Sequence, residues 1–261
     1  MHTPPPITRI DLNADLGEGF GPWRMGNDAD LLAIVTSASV ACGGHAGDPD
    51  IMVETLLAAR ALGVSVGAHP GYADPAGFGR RIIPMTLDGI ERMVATQIGA
   101  LMGAAALAGV RLGHVKAHGA LANLAGDDPD VATAIARAVA AVSRDLVVLA
   151  ISGTAQVGAA EACGLTVVAE VFADRAYLPN GRLVPRHQPG AVIHDAAAAT
   201  ARMVGFLATG RMPVLDGPAI ALTAQSVCVH GDTPGAVEMA RHLRRGLTGA
   251  GVTCAPFVPQ G

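Results

Sequence analysis

The chain has 261 residues, 51% of them hydrophobic, which suits one large α/β domain spanning 1–261 rather than two small ones. Its formal net charge of −4 argues against nucleic acid or an anionic membrane as the main partner. Four cysteines (Cys42, Cys163, Cys228, Cys254) without CxxC spacing exclude a zinc knuckle and a secreted disulfide framework.

The opening, MHTPPPITRIDL, lacks a basic stretch followed by an apolar one, and no apolar run is long enough to span a bilayer. The expectation is a cytoplasmic protein without a signal peptide. The first strand lies in IDLNADLGEGFG, residues 10–21, and ends in a glycine-rich turn. Asp11, Asn13 and Asp15 alternate with Leu12 and Ala14, so a strand sets the three polar groups on one face. Two carboxylates and an amide there require a basic partner, a metal or a substrate, because burying unpaired charge is costly.

A short helix over 31–35 leads to a second strand over 37–42, which ends in CGGHAGDPD. Asp48 followed by Pro49 caps a helix whose apolar face runs through Ile51, Met52, Thr55, Leu56, Ala59 and Leu62, and Gly63 stops it. Strand three, 64–68, ends in HPGYADPAGFGRR. Thr86 caps a long Ala-rich helix that Gly109 closes. Strand four, 113–117, ends in HGALAN, and Asp128-Pro129 opens the next helix. The apolar run 146–151 reads as a parallel strand covered on both faces, followed by a helix from Ser152-Gly153-Thr154 to Gly164. Strand six, 166–171, ends in FADRAYLPNGRLVPR, a long irregular stretch suited to a lid. A helix over 195–208 stops at Gly210; the last strand, 226–229, ends in HGDTP, and Pro234 begins the final helix.

Roughly seven βα units in series predict a (β/α) barrel or a distorted relative, with a doubly wound open sheet as the competitor. Either architecture places the ligand site at the carboxyl ends of the strands. The residues after the strands are polar there: Asp15 and Glu18, His45 and Asp48, His69, His118, Ser152, Asp174 and Arg175, His230 and Asp232. The strand starts carry nothing comparable.

Lys116 is the only lysine in the chain, and it shares a strand face with His118. An ammonium there binds a carboxylate or phosphate beside a histidine that moves protons; the plainer alternative is a salt bridge to Asp11 or Glu170. His45, His69, His118 and His230 each follow a different strand, so they form either a metal site with carboxylates or an acid–base relay. Their spacing, tens of residues apart, carries no metal-specific signature; Asp11, Asp15, His45 and His69 are the metal-ligand candidates. The turns GEGFG and GFGRR offer backbone N–H groups to an anion or simply make turns, and Arg80 and Arg81 either clamp a carboxylate or face solvent. No Gly-Lys-Ser/Thr occurs, so there is no P-loop, and Gly17, Gly19 and Gly21 do not form the dinucleotide fingerprint. Cys42 and Cys228 lie near strand ends, where the usual fate of a cysteine is burial as a small hydrophobe.

Taken together, DLNADLGEGFG, ACGGHAGDP, GAHPGYAD with GFGRR, VKAHGAL, EVFADRAYLPNGRLVPR and VHGDTP resemble the LamB/YcsF lactam-utilisation family, the A subunits of bacterial 5-oxoprolinase. The pieces run in one order from Asp11 to Pro234. Two departures from the family pattern are Ala117 for a proline and Ala122 for a tyrosine. The resemblance implies a distorted TIM-like barrel of the glycoside hydrolase/deacetylase superfamily. It implies ATP-dependent opening of 5-oxo-L-proline to L-glutamate, with ADP and phosphate released, and a requirement for subunits B and C. Asp15, His45, Lys116, His118 and His230 are then the catalytic candidates, and Asn13, Glu18, His69, Arg80, Glu170, Asp174 and Arg175 the substrate-binding ones. ATP is the implied cofactor, with a divalent metal, Mg with the nucleotide, beside it. Two alternatives stay open: an ATP-independent metal-dependent amidase or deacetylase, and a non-catalytic lactam-binding subunit. The Ala-rich, weakly charged helices leave surfaces for a homo-oligomer or for docking a partner.

Overall fold

A computed structural model of the chain describes residues 6–231 and 235–259. Its parallel strands run in the order β1 (Arg9–Leu16), β2 (Ser37–Ala41), β3 (Ser65–His69), β4 (His114–Val115), β5 (Val147–Ile151) and β6 (Val167–Phe172). An outlying antiparallel pair follows, β7 (Arg211–Met212) with β8 (Ile220–Ala221). The seventh barrel strand, β9 (Ser226–Val229), pairs with both β6 and β1 and closes the ring. The helices are α1 (Asp28–Leu32), α2 (Pro49–Ala61), α3 (Leu87–Ala108), α4 (Gly119–Asp127), α5 (Pro129–Val142), α6 (Ala155–Ala162), α7 (Ala196–Thr209) and α8 (Ala236–Gly249). This is the (β/α) barrel expected from the serial strand–helix pattern, and the closure of β9 on β1 excludes the open sheet.

The caps explain why most helices begin and end where they do. Asp48 accepts from the N–H groups of Asp50 and Ile51, Asp128 from those of Asp130 and Val131, and Thr86 from that of Gly89. Gly109 and Gly210 close α3 and α7 in the left-handed conformation. Three features depart from the expectation. The first helix starts three residues earlier than 31, because Asn27 accepts from Asp30 N–H and caps it there. An additional helix, α4, fills 119–127, directly after His118, with no side-chain cap to announce it. Two-residue pairings also appear: β7 with β8, and β10 (Thr253–Cys254) alongside the start of β1. Pro234 and Asp232 lie outside the described residues.

The two faces of β1 divide the work. Ile10, Leu12, Ala14 and Leu16 are buried in the apolar core between barrel and helices, while Asp11, Asn13 and Asp15 share the other face. The interior is apolar at one end, where Val147, Leu149 and Val168 pack with Phe257 and Val258. At the carboxyl ends of the strands it is polar and opens into a cavity of about 570 Å³.

Candidate functional site

Two clusters meet at this cavity, and Asp15 touches both. The first is centred on the Lys116 ammonium, which donates to Asp15 Oδ1 at 2.8 Å, Asn13 Oδ1 at 3.2 Å and Cys228 Sγ at 3.1 Å, and lies 3.2 Å from Glu170 Oε2. β4 delivers it: the Lys116 N–H still pairs with the Ala68 carbonyl, so the extended backbone carries the side chain into the barrel. Burial alone would strip the ammonium of its proton, but Asp15, Cys228 and Glu170 together hold its pKa well above the ordinary value. Asp15 responds inversely: burial opposes its charge, but the cationic groups beside it, Lys116 among them, hold its carboxyl well below the usual range. Burial dominates at Glu170, whose carboxyl is pushed up to about 7 despite Lys116. The salt bridge to Glu170 anticipated from the sequence and the contact with Asp15 therefore coexist.

Asn13 is fully buried beneath this cluster; its Nδ2 donates to Glu170 Oε2 at 3.3 Å and to Ser226 Oγ at 2.7 Å. It supports Lys116 and Glu170 from below. Asp11 lies deeper still, accepting hydroxyl hydrogen bonds from Thr36 and Ser37, each at 2.6 Å, and from Ser226. Its carboxylate is enclosed by hydroxyls at the far end of β1, and the fold does not bring it to the histidines.

The second cluster is Glu18, His45, His69 and His118, all buried, whose donor atoms lie within 4.8 Å of one another. Glu18 Oε1 is 3.1 Å from His45 Nε2 and 3.5 Å from His118 Nδ1, and His69 Nε2 is 3.0 Å from His118 Nδ1. Four such donors make a potential metal-binding cluster. Of the ligands expected from the sequence, His45 and His69 belong to this cluster, where Glu18 and His118 join them; Asp11 is remote, and Asp15, 3.5 Å from His69 Nε2, forms a second group of possible ligands with Cys228 and His230. His45 and His118 stack with ring centroids 3.6 Å apart. Burial, helped by neighbouring histidines and Arg80, pushes both rings well below the ordinary histidine range, so both are neutral.

Local backbone geometry makes this packing feasible. A Cβ on Gly79 would stand 2.7 Å from His45 Cβ and 2.8 Å from His118 Cδ2, so only glycine fits there. The preceding residue, Phe78, is the one described non-glycine residue at positive φ (53°), a strained conformation that aims its carbonyl at His118 Nε2, 2.8 Å away. Gln97 secures the loop after His69, donating to the Gly71 carbonyl at 2.7 Å and accepting from the Gly71 N–H at 3.0 Å.

The remaining rim residues divide into those that face the cavity and those that build its walls. His230 lines the cavity, stacks on Phe172 and points Nδ1 at both Asp174 oxygens, 2.8 and 2.9 Å away. The Asp174 carboxyl lies below its usual range because His230 outweighs burial. Arg80 lines the mouth and covers the Phe78 ring. Arg175 donates to the carbonyls of Val184 and Ala191, and Arg202 donates to those of Phe172, Ala173 and Arg175, which holds the 173–194 stretch over the cavity. Arg81 pairs with Asp74, Ser152 donates to the Thr223 carbonyl, and Asp48 serves as a cap. Sequence reasoning missed the role of Phe78, which only its φ reveals. It also missed Asn123, Arg182, Arg186 and His187 in the cavity wall, Arg182 and Arg186 within the stretch expected to form a lid and His187 directly after it.

Among the described residues, no helix is long and apolar enough to cross a membrane. The LamB/YcsF family profile matches residues 10–260. A protein of Rhodopseudomonas palustris, named as the A subunit of 5-oxoprolinase, is 52% identical over 96% of this chain and 99% of its own length. Another of the same name from Gluconobacter oxydans is 51% identical over 93% of the chain and 96% of its own. The crystal structure of a lactam utilization protein from Thermus thermophilus superposes with a TM-score of 0.90 at 41% identity, covering 95% of this chain and all of that one. On this full-length agreement of sequence and fold, the chain belongs to the LamB/YcsF family.

Proposed function

We propose that the chain is the A subunit of an ATP-dependent 5-oxoprolinase, a cytoplasmic enzyme that opens 5-oxo-L-proline to L-glutamate with subunits B and C. The strongest support is the pairing of full-length similarity to proteins of that name with a cavity whose floor holds a buried ammonium beside a His–Asp pair. A five-membered lactam is a poor electrophile, so its carbonyl needs activation; transfer of a phosphoryl group from ATP to the amide oxygen supplies it. One water then opens the ring and a second releases the phosphate. The chain has no P-loop, so the nucleotide is bound either by a partner subunit or here in a mode other than a P-loop.

Each cavity residue has a role in this reading. Lys116 stabilises negative charge on the reacting oxygen, and Asp15 keeps it protonated and aimed. His230, oriented through Nδ1 by Asp174, exchanges a proton at Nε2 with the departing ring nitrogen. Glu170 and Arg80 contact the substrate, and Glu18, His69 and His118 line the cavity beside them, with His45 stacked on His118. Asn13 and Arg175 position their neighbours. A second reading, a metal-dependent amidase that works without ATP, draws support from the Glu18–histidine cluster.

The test is glutamate release from 5-oxoproline by this chain, alone and with subunits B and C, with and without ATP. Release only with all three subunits and ATP supports the reading. Chelator-sensitive release by the chain alone, without ATP, overturns it in favour of the amidase. No release in any mixture would also overturn it.

A further inference from the structure

We propose that Glu18, His45, His69 and His118 hold a divalent transition-metal ion, a site independent of which substrate the cavity accepts. Hydrogen positions on two of the rings point to it. His69 Nδ1 lies 2.8 Å from the Lys116 carbonyl, and His118 Nε2 lies 2.8 Å from the Phe78 carbonyl. A carbonyl only accepts, so each of these nitrogens carries a hydrogen. In the neutral form that binds a metal, each ring then has its lone pair on the other nitrogen, His69 Nε2 and His118 Nδ1, and these two face each other at 3.0 Å. The carboxylates near them are acceptors too: Asp15 Oδ2 at 3.5 Å and Glu18 Oε1 at 4.0 Å from His69 Nε2, and Glu18 Oε1 at 3.5 Å from His118 Nδ1. Two facing lone pairs in a buried site repel each other unless a cation lies between them and the carboxylates.

Metal sites fix their histidines in this way. A ligating imidazole donates its outer N–H to a carbonyl or carboxylate, which sets the tautomer and turns the inner nitrogen to the ion. His69 and His118 both satisfy that pattern through backbone carbonyls, one of them held by the strained Phe78. His45 differs: its Nδ1 has no hydrogen-bond partner among the described residues, so no neighbour fixes its tautomer, while its Nε2 faces Glu18. Three imidazoles and one carboxylate select zinc, cobalt or nickel over magnesium or calcium, which prefer all-oxygen shells. Glu18, His69 and His118 border the cavity, so the ion is within reach of a bound molecule. Such an ion lowers the pKa of bound water or polarises a carbonyl.

The experiment measures metal content and uses no turnover. The full chain is stripped with chelator, supplied with Zn²⁺ or Co²⁺, and desalted. About one equivalent is expected to remain, Co²⁺ should give a visible absorption band, and Zn²⁺ should raise the Tm. His69→Ala and His118→Ala should abolish retention, and His45→Ala should weaken it less. His194→Ala, at an exposed position, should retain the ion as wild type does. Circular dichroism of each variant, and Glu18→Gln as a near-isosteric change, separate loss of the site from loss of the fold. The proposal is overturned if folded wild type retains neither ion, which would mean that a shared proton lies between His69 and His118. Equal retention by folded His118→Ala would also overturn it.

Discussion

The two clusters beside the cavity have similar ingredients and opposite electrostatics. Around Lys116, the carboxylates of Asp15 and Glu170, the Asn13 amide and the Cys228 sulfur share a cation that the chain itself provides at their centre. Around Glu18, three imidazoles and a carboxylate converge with no side-chain cation among them, and the ring nitrogens of His69 and His118 face each other at 3.0 Å. One rim can therefore serve two chemistries. A covalently attached ammonium is a fixed charge that chelators cannot remove and that stabilises negative charge where it stands. A set of lone pairs is an exchangeable site, filled or emptied by its surroundings. Asp15 links the two, 2.8 Å from Lys116 Nζ and 3.5 Å from His69 Nε2.

The largest expected effect comes from removing the fixed cation. Lys116→Met leaves Asp15 and Glu170 without their buried partner, which should lower glutamate release by the assembled enzyme roughly 100- to 1,000-fold and cost about 3 kcal/mol or more in a urea titration. Lys116→Arg should fare little better, because a planar guanidinium cannot replace a compact ammonium among four close partners. Full activity in Lys116→Arg would end the claim that this charge is special.

The exchangeable cluster should respond to chelator instead. Stripping the protein should lower its Tm, and Zn²⁺ should restore it in wild type but not in His69→Ala. A Tm indifferent to chelator would erase the contrast between the clusters.

Glu170 gives a pH signature of intermediate size. Its carboxyl is raised from 4.5 to about 7 in the folded chain, where burial outweighs the pull of Lys116. A group raised in this way favours folding when protonated. Its contribution is complete below pH 4.5 and disappears as pH rises through about 7. The difference between the plateaus is about 3 kcal/mol. Stability curves of wild type and Glu170→Gln should therefore diverge across that window, wild type losing more as pH rises; parallel curves would contradict the shift. The smallest effect is expected away from both clusters. Asp128→Ala removes the cap of α5 and should cost about 1 kcal/mol without changing activity or metal content.

Much of this was legible in the sequence, for physical reasons that also set the limits. Short apolar runs ending in glycine and polar residues located the seven barrel strands, and Asp48-Pro49, Asp128-Pro129, Thr86 and Gly109 located helix ends because caps are local hydrogen bonds. The helix α4 and the pairings of β7, β8 and β10 escaped, since two-residue pairings and an uncapped helix leave little local pattern. At the site, strand alternation put Asp11, Asn13 and Asp15 on one face but not at one depth. Four residues of strand span roughly 13 Å, so Asp11 meets Ser37 and Ser226 while Asp15 meets Lys116. The Glu18–histidine set joins residues up to 100 positions apart, which pairing of strands brings together and no spacing rule anticipates.

The most direct test of the contrast is metal content of wild type, Lys116→Met and His118→Ala, purified and reconstituted with Zn²⁺ side by side. About one ion should be retained by wild type and by Lys116→Met, and essentially none by His118→Ala. Loss of the ion from folded Lys116→Met as complete as from His118→Ala, or no ion in wild type, would contradict the division into a fixed and an exchangeable cation.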